Sequence, residues 1–384
     1  MPSSTSNSDF VRPIPEVPWR GITIIVVLLV FAAAAAWEMY VRSIGDAPTL
    51  NPSDDLWTQA RRAVKPESVV IVGDSRGWFD LDLNELEKGL GRRPIQLAMG
   101  GSCAYPVLAD LANDEQFHGT IICSFAPRFF FAPPGSPPME RSETAVRRYY
   151  TETFAQRASQ YLAMPLEETV AFLKQEDLAT EALLKDLHIP DRPNAQVPPR
   201  LPPYFCTVDR ERRARMIEQC AQPGELQSTI QHRWLRLFSP PPPPSFIPRE
   251  AFMERMKKAQ ENRFIDTMKA VEKLRGRGGK IVFVRLPVSG ELKALEDKLN
   301  PRSRLWEPLL QKTAVSGIYF EDYPELASSR VPSGRICPPA IRSNSANVWF
   351  LICAPRFSSS RLRGGGPTRA RSPLPLHRRA STQS

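Results

Sequence analysis

Ser68-Val69-Val70-Ile71-Val72-Gly73-Asp74-Ser75-Arg76-Gly77 is the densest structural signal in the chain. Four β-branched residues in a row, preceded by Pro66 and ended by Gly73, predict a short strand buried on both faces. Such a run belongs at the centre of a parallel sheet with helices on either side. Gly73 permits a sharp turn, Asp74 can hydrogen-bond within it, and Ser75 then stands just past the strand's carboxyl end. In open α/β sheets ligands and chemistry gather at that edge. A backbone N–H beside such a serine can hold a developing oxyanion. The plainer role for Ser75 is a turn serine capping the next helix, which serine does well.

Downstream the alternation continues. Leu81, Leu83, Leu86 and Leu90 mark an amphipathic segment, Pro94–Met99 a second strand running into Gly100-Gly101-Ser102, and Tyr105–Phe117 a helix. Thr120–Phe125 is a third strand, closed by Ala126-Pro127. After an interruption, Glu250–Arg275 predicts a long helix ended by Gly276-Arg277-Gly278-Gly279. Lys280–Leu286 gives a fourth strand and Gly317–Asp322 a fifth, with Asp322 directed to the same sheet edge as Ser75. The pattern predicts one α/β domain over 66–327, built on a doubly wound parallel sheet. The interruption, 133–249, reads as a helical insertion with Ala145, Tyr149, Phe154, Tyr161, Val170, Leu173 and Leu183 as core candidates. Pro190–Pro203 and Ser239–Ser245 are too proline-rich for helix or inner strand and are expected as extended loops bounding a lid or subdomain.

Upstream, residues 1–20 read as a disordered tail. Gly21–Trp37 carries 17 residues without a charge, and with a ragged end to Val41 it predicts a membrane-spanning helix over 21–41. Trp19, Trp37 and Tyr40 fit the two interfacial belts. A cleaved signal peptide, with Ala32–Ala36 as small-residue sites, and a buried soluble helix are the alternatives. Residues 42–65 then form a linker. Arg12 and Arg20 precede the span, which favours an inside N-terminus and an extracytoplasmic globular part on the inner membrane.

The formal charge of +10 points toward acidic partners only until it is located. Beyond Glu325 lie 59 residues with ten arginines and no Asp, Glu or Lys, and those ten account for the whole excess. Nucleic acid is therefore not an expected partner. Four of the six cysteines, Cys103, Cys123, Cys206 and Cys220, fall before this tail, in no zinc spacing. Cys206 and Cys220 are open to a local disulfide or to two free thiols. With no P-loop, dinucleotide fingerprint, metal cluster or repeat, no cofactor is expected.

Gly73-Asp74-Ser75 after a first buried strand, followed by a glycine turn after the second, resembles the SGNH or GDSL-like hydrolase family. The resemblance covers about Pro66 to Asp322 and is nearest to membrane-anchored bacterial members of unassigned activity. It implies a flavodoxin-like fold and an ester hydrolase or acyltransferase acting on acylated glycans or lipids. It also implies Ser75 as nucleophile, with its own N–H and that of Gly101 as oxyanion donors. The third block departs: where relatives carry Gly-x-Asn-Asp, this chain has Ser124-Phe125-Ala126-Pro127-Arg128.

A serine nucleophile needs a base. In the resembled family it is a histidine three residues after an acid, due soon after Asp322. None of His118, His188, His232 and His377 lies there; His118 alone follows an acid, Glu115, by three residues, but in the turn before the third strand and not after Asp322. The tail 328–384 is either a disordered basic segment or the product of a shifted reading frame. Pro332–Pro338 can be encoded so that the neighbouring frame reads Glu-Trp-Ser-His-Leu-Ser, an acid-x-x-His at the place where the family's block is due. The sequence thus predicts a hydrolase inactive in this chain, or a non-catalytic protein of the same fold serving envelope polysaccharide assembly. Arg76 and Arg128 are candidates for an anionic substrate, although arginines beside turns are commonly solvated.

Overall fold

In a computed structural model of the chain, residues 17–174, 205–240 and 247–327 are described. The expected tail before residue 17, the Pro190–Pro203 loop, most of Ser239–Ser245, Leu183, His188, and the 328–384 segment with His377 lie outside them.

The chain begins with α1, Trp19–Ser43, a 25-residue helix long and apolar enough to cross a membrane. At 1.5 Å per residue it spans about 37 Å. None of its most apolar stretch is buried against the protein. Helix α2, Asp54–Arg62, starts where the Ser53 hydroxyl accepts from the Leu56 N–H, with Asp54 and Asp55 in its first turn and Arg61 and Arg62 in its last. Each end thus carries the charge that opposes its dipole. The segment joining α1 to the first strand is packed, with Leu50, Leu56 and Trp57 fully buried and the Trp57 indole donating to the Leu97 carbonyl at 2.9 Å.

Five parallel strands form the centre, in the order β2-β1-β3-β6-β7. They are β1 Val69–Val72, β2 Ile95–Gln96, β3 Thr120–Ser124, β6 Lys280–Arg285 and β7 Gly317–Tyr319. Val69 faces Thr120, Ile121 faces Ile281 and Phe283 faces Gly317. Counted within the sheet this is 2-1-3-4-5, with the switch point between β1 and β3. All four β1 residues are buried, as the uninterrupted apolar run requires. Between β1 and β2 lie α3, Ser75–Phe79, and α4, Leu83–Leu90, the latter capped by Asp82 and ended at Gly91 with φ +66°. Helix α5, Ala104–Asn113, leads into β3.

The insertion follows α6, Pro127–Phe130. It contains α7, Pro137–Thr151, and α8, Phe154–Glu167, which opens with a reciprocal Thr153/Gln156 capping box. It also contains an antiparallel hairpin that the sequence pattern did not announce, β4 Cys206–Val208 with β5 Ala214–Met216. Among its described residues two more helices follow, α9 Glu218–Ala221 and α10 Glu225–Phe238. Of the expected insertion core, Ala145 is buried and Tyr149, Val170 and Leu173 are half-buried. Phe154 and Tyr161 are exposed, against expectation, because α8 buries only a narrow side through Met164 and Glu167. Helix α11, Arg249–Gly276, then returns the chain to β6, and α12, Gly290–Leu299, and α13, Arg302–Thr313, connect β6 to β7.

Cys103, Cys123, Cys206 and Cys220 are all buried with no disulfide among them, which answers the disulfide question for Cys206 and Cys220. Burial pushes the Cys103 and Cys220 thiols up to about 11 and raises Cys123 as well. A raised thiol pKa leaves little thiolate at pH 8. Because all four side chains are buried, iodoacetamide at that pH is expected to leave them unmodified in the folded chain and to label all four in denaturant. Peptide mass spectrometry reads this directly, and native labelling of Cys123 would contradict the packing.

Candidate functional site

The β1 run ends at Gly73 with φ +152°, a conformation that favours glycine. A Cβ there would lie 2.5 Å from the Ser124 Cβ, so β3 approaches the turn too closely for any side chain. Gly77, one turn into α3, meets the same serine at 2.7 Å. These two glycines let α3 start directly against the end of β3. The Asp74 carboxylate, nearly fully buried, accepts from the Arg76 N–H and the Ser124 hydroxyl, both at 3.3 Å. Asp74, and not Ser75, is thus the N-cap of α3.

That assignment frees Ser75. It occupies the first helical position, is 2% exposed, and its Oγ is buried without a hydrogen-bond partner. A buried hydroxyl left unpaired costs about 1–3 kcal/mol, so an orphan at the carboxyl end of β1 is a feature to be explained. The second turn is beside it: the Ser102 hydroxyl donates to the Gly73 carbonyl at 3.2 Å and to the Met99 carbonyl at 2.9 Å. Gly101 has φ +67° with open space where a Cβ would project. The glycine turn and the Gly73-Asp74-Ser75 turn therefore stand together, held by Ser102 and not by Gly101 itself. At the third strand Ser124 supports Asp74.

The strongest electrostatic feature of this edge was not among the expected residues. Arg76 is fully buried, not solvated, and its guanidinium pairs with the Glu296 carboxylate. The other oxygen of Glu296 accepts from Arg285 at 2.5 Å, and all three side chains are buried. Arg285 closes β6 and also touches the Phe125 carbonyl at 3.4 Å. Burial works against charge on Arg285, but Glu296 and Tyr319 outweigh it and hold the guanidinium above its ordinary range. Two guanidiniums share one carboxylate, and Nε and Nη1 of Arg76 have no hydrogen-bond partner. A charged residue ending the apolar run Ile281–Val284 was the available sequence signal. Glu296 gave none.

The insertion sits on the helix that carries Ser75. The Trp78 indole donates to the Arg212 carbonyl at 2.6 Å, and Phe79 stacks on Phe205 at 5.3 Å. Arg212, at the hairpin turn with φ +59°, donates to the carbonyls of Gln96 at 2.6 Å and Ala98 at 3.2 Å. Burial, with Arg141 adding repulsion, pushes its pKa down to about 9. Arg128 donates to the Phe238 carbonyl at 2.9 Å and so ties α6 to α10, with burial lowering its pKa.

The structure does not bring a base to Ser75 from the described histidines. His118 is exposed and bonds the Gln116 carbonyl near the start of β3, at the opposite edge. His232 is exposed on α10, bonded to Ser228. Asp322 follows β7 at the expected edge, yet Arg302 holds its half-exposed carboxylate at 2.5 and 3.0 Å. The arrangement offers a nucleophile position and nearby backbone turns, with no proton acceptor on Ser75 among the described residues. Comparison of the chain with protein families, curated proteins and solved structures gives no match.

Proposed function

We propose that this chain is a membrane-anchored α/β protein of SGNH-like, flavodoxin-like ancestry, with Ser75 in the position of an ester-cleaving nucleophile and without turnover as it stands. The orphaned Ser75 Oγ carries this reading, because the alternative job of capping α3 is performed by Asp74. The strand order and the Gly100–Ser102 turn beside Gly73 support it. In the proposed reaction Oγ attacks an acyl ester carbonyl, its proton passes to a base, and the Ser75 and Gly101 N–H groups hold the oxyanion. Lack of a general base costs about 10²–10⁴-fold in rate. The substrate class is an acyl ester on an envelope glycan or lipid, met outside the cytoplasm by a domain held through α1.

A second reading is favoured by one observation: Ser75 and its Oγ are closed off from solvent. Under it the fold is a non-catalytic binding or scaffold protein in envelope polysaccharide assembly.

The test compares the full chain with Ser75→Ala on short acyl esters. Both are expected to hydrolyse them equally slowly, and Ser75→Ala is expected to be as stable as the parent or up to about 1 kcal/mol more so, since it removes an unpaired buried hydroxyl. Resequencing the gene past codon 328, then repeating the assay on any corrected chain, separates the readings. Hydrolysis that appears on correction and vanishes with Ser75→Ala supports the enzyme. A confirmed frame, with no labelling of Ser75 by a fluorophosphonate, supports the scaffold.

A further inference from the structure

Helix α8 presents an apolar face outward. Phe154 is 84% exposed, Tyr161 53%, Leu162 74% and Leu166 57%. At 100° per residue these four fall within one side of the helix, with Ala155 and Ala158 between them. Exposed contiguous apolar surface of this kind marks an interaction site. Its neighbour identifies the partner. Three residues past Leu166, the Thr169 carbonyl accepts from Arg42 of α1 at 2.9 Å. The Glu38 carboxylate of α1 accepts from the N–H groups of Ala171 at 3.0 Å and Phe172 at 3.2 Å. Glu38 and Arg42 are the first charges after the apolar stretch of α1, beside Trp37 and Tyr40 whose rings lie 5.3 Å apart. In a spanning helix such residues sit at headgroup level. The carboxyl end of α8 is thereby pinned at that level.

We propose that the Phe154–Leu166 face of α8 lies in the membrane surface, as a second, in-plane contact beside α1; this rests on α1 being the anchor. An amphipathic helix in that position buries its apolar side about 5–10 Å into the headgroup and acyl boundary. The polar side of α8 is turned to the protein, where Glu167 accepts from the Asn51 N–H at 3.0 Å. The exposure of Phe154 and Tyr161, read from the sequence as core, is then an apolar face matched to lipid.

The test uses the full chain in phosphatidylcholine–phosphatidylglycerol vesicles. Because the four described cysteines are buried, a fluorophore is placed at Leu162→Cys, or at Leu28→Cys within α1, on a Cys337→Ser/Cys353→Ser background. At Leu162→Cys, doxyl lipids labelled near the headgroup are expected to quench more than those labelled near the chain end, with little quenching by aqueous iodide. At Leu28→Cys the depth order reverses. Lipid quenching at Leu28→Cys with none at Leu162→Cys overturns the α8 contact and leaves the anchor standing, whether iodide reaches the site or another protein surface covers it. Absence of lipid quenching at both positions overturns the anchor and the contact together.

Discussion

Replacing Glu296 with glutamine is expected to destabilise the protein by about 3–5 kcal/mol, the cost of breaking a buried ion pair from one side. The substitution keeps shape and volume, so the loss is electrostatic. It leaves Arg76 and Arg285, both buried, facing one another with no carboxylate between them. Thermal unfolding in detergent, followed by circular dichroism, should show a fall of roughly 10 °C. Arg76→Met is the informative companion. It removes the surplus guanidinium and its unpaired Nε and Nη1 while leaving Glu296 paired one to one with Arg285. Its expected cost is under about 1.5 kcal/mol. If Arg76→Met costs as much as Glu296→Gln, the charge account of this cluster is wrong.

Gly73→Ala is expected to cost about 4 kcal/mol, from backbone strain and overpacking together. The alanine must adopt φ +152° and also place its Cβ 2.5 Å from that of Ser124, with the Ser124 backbone only 3.2 Å away. Gly77→Ala shares the clash, at 2.7 Å, but stands in the helix without a positive φ, and its expected cost is about 1–2 kcal/mol. Adding Ser124→Gly separates the two causes in a double-mutant cycle. It should recover most of the Gly77→Ala loss and little of the Gly73→Ala loss. Equal recovery at both sites would mean that strain at Gly73 contributes nothing.

Much of the sheet was legible because its determinants are local. Val69–Val72, Thr120–Ser124 and Lys280–Arg285 are apolar runs with glycine or proline at their borders, and each lies within a residue of its expected span. Helix α11 was legible for the same reason, with a periodic stripe and a glycine-rich end. The hairpin β4–β5 was not, since strands of three residues carry too few alternations to register. For α8 the spacing revealed an apolar side but not what that side meets, which is a property of the neighbours and not of the helix. At the site, the Gly73-Asp74-Ser75 turn was visible, but the division of labour within it depends on which oxygen reaches the Arg76 N–H. The Arg76–Glu296 pair spans 220 residues, and no local pattern announces a partner so distant.

The bonds made by residues 38–51 decide how the α/β sheet is mounted. Glu38 and Arg42 hold residues 169–172, Asp46 pairs with Lys174 at 3.1 Å, the Leu50 N–H donates to the Val208 carbonyl at 3.1 Å, and the Asn51 N–H binds Glu167. Every one of these partners belongs to the insertion. The insertion is thus a bracket: it fixes the angle between the α1 axis and the strands, and a swinging tether is replaced by a rigid mount. The carboxyl edge of the sheet consequently keeps one heading and one height relative to α1, so a bound molecule would have to be delivered to that fixed station.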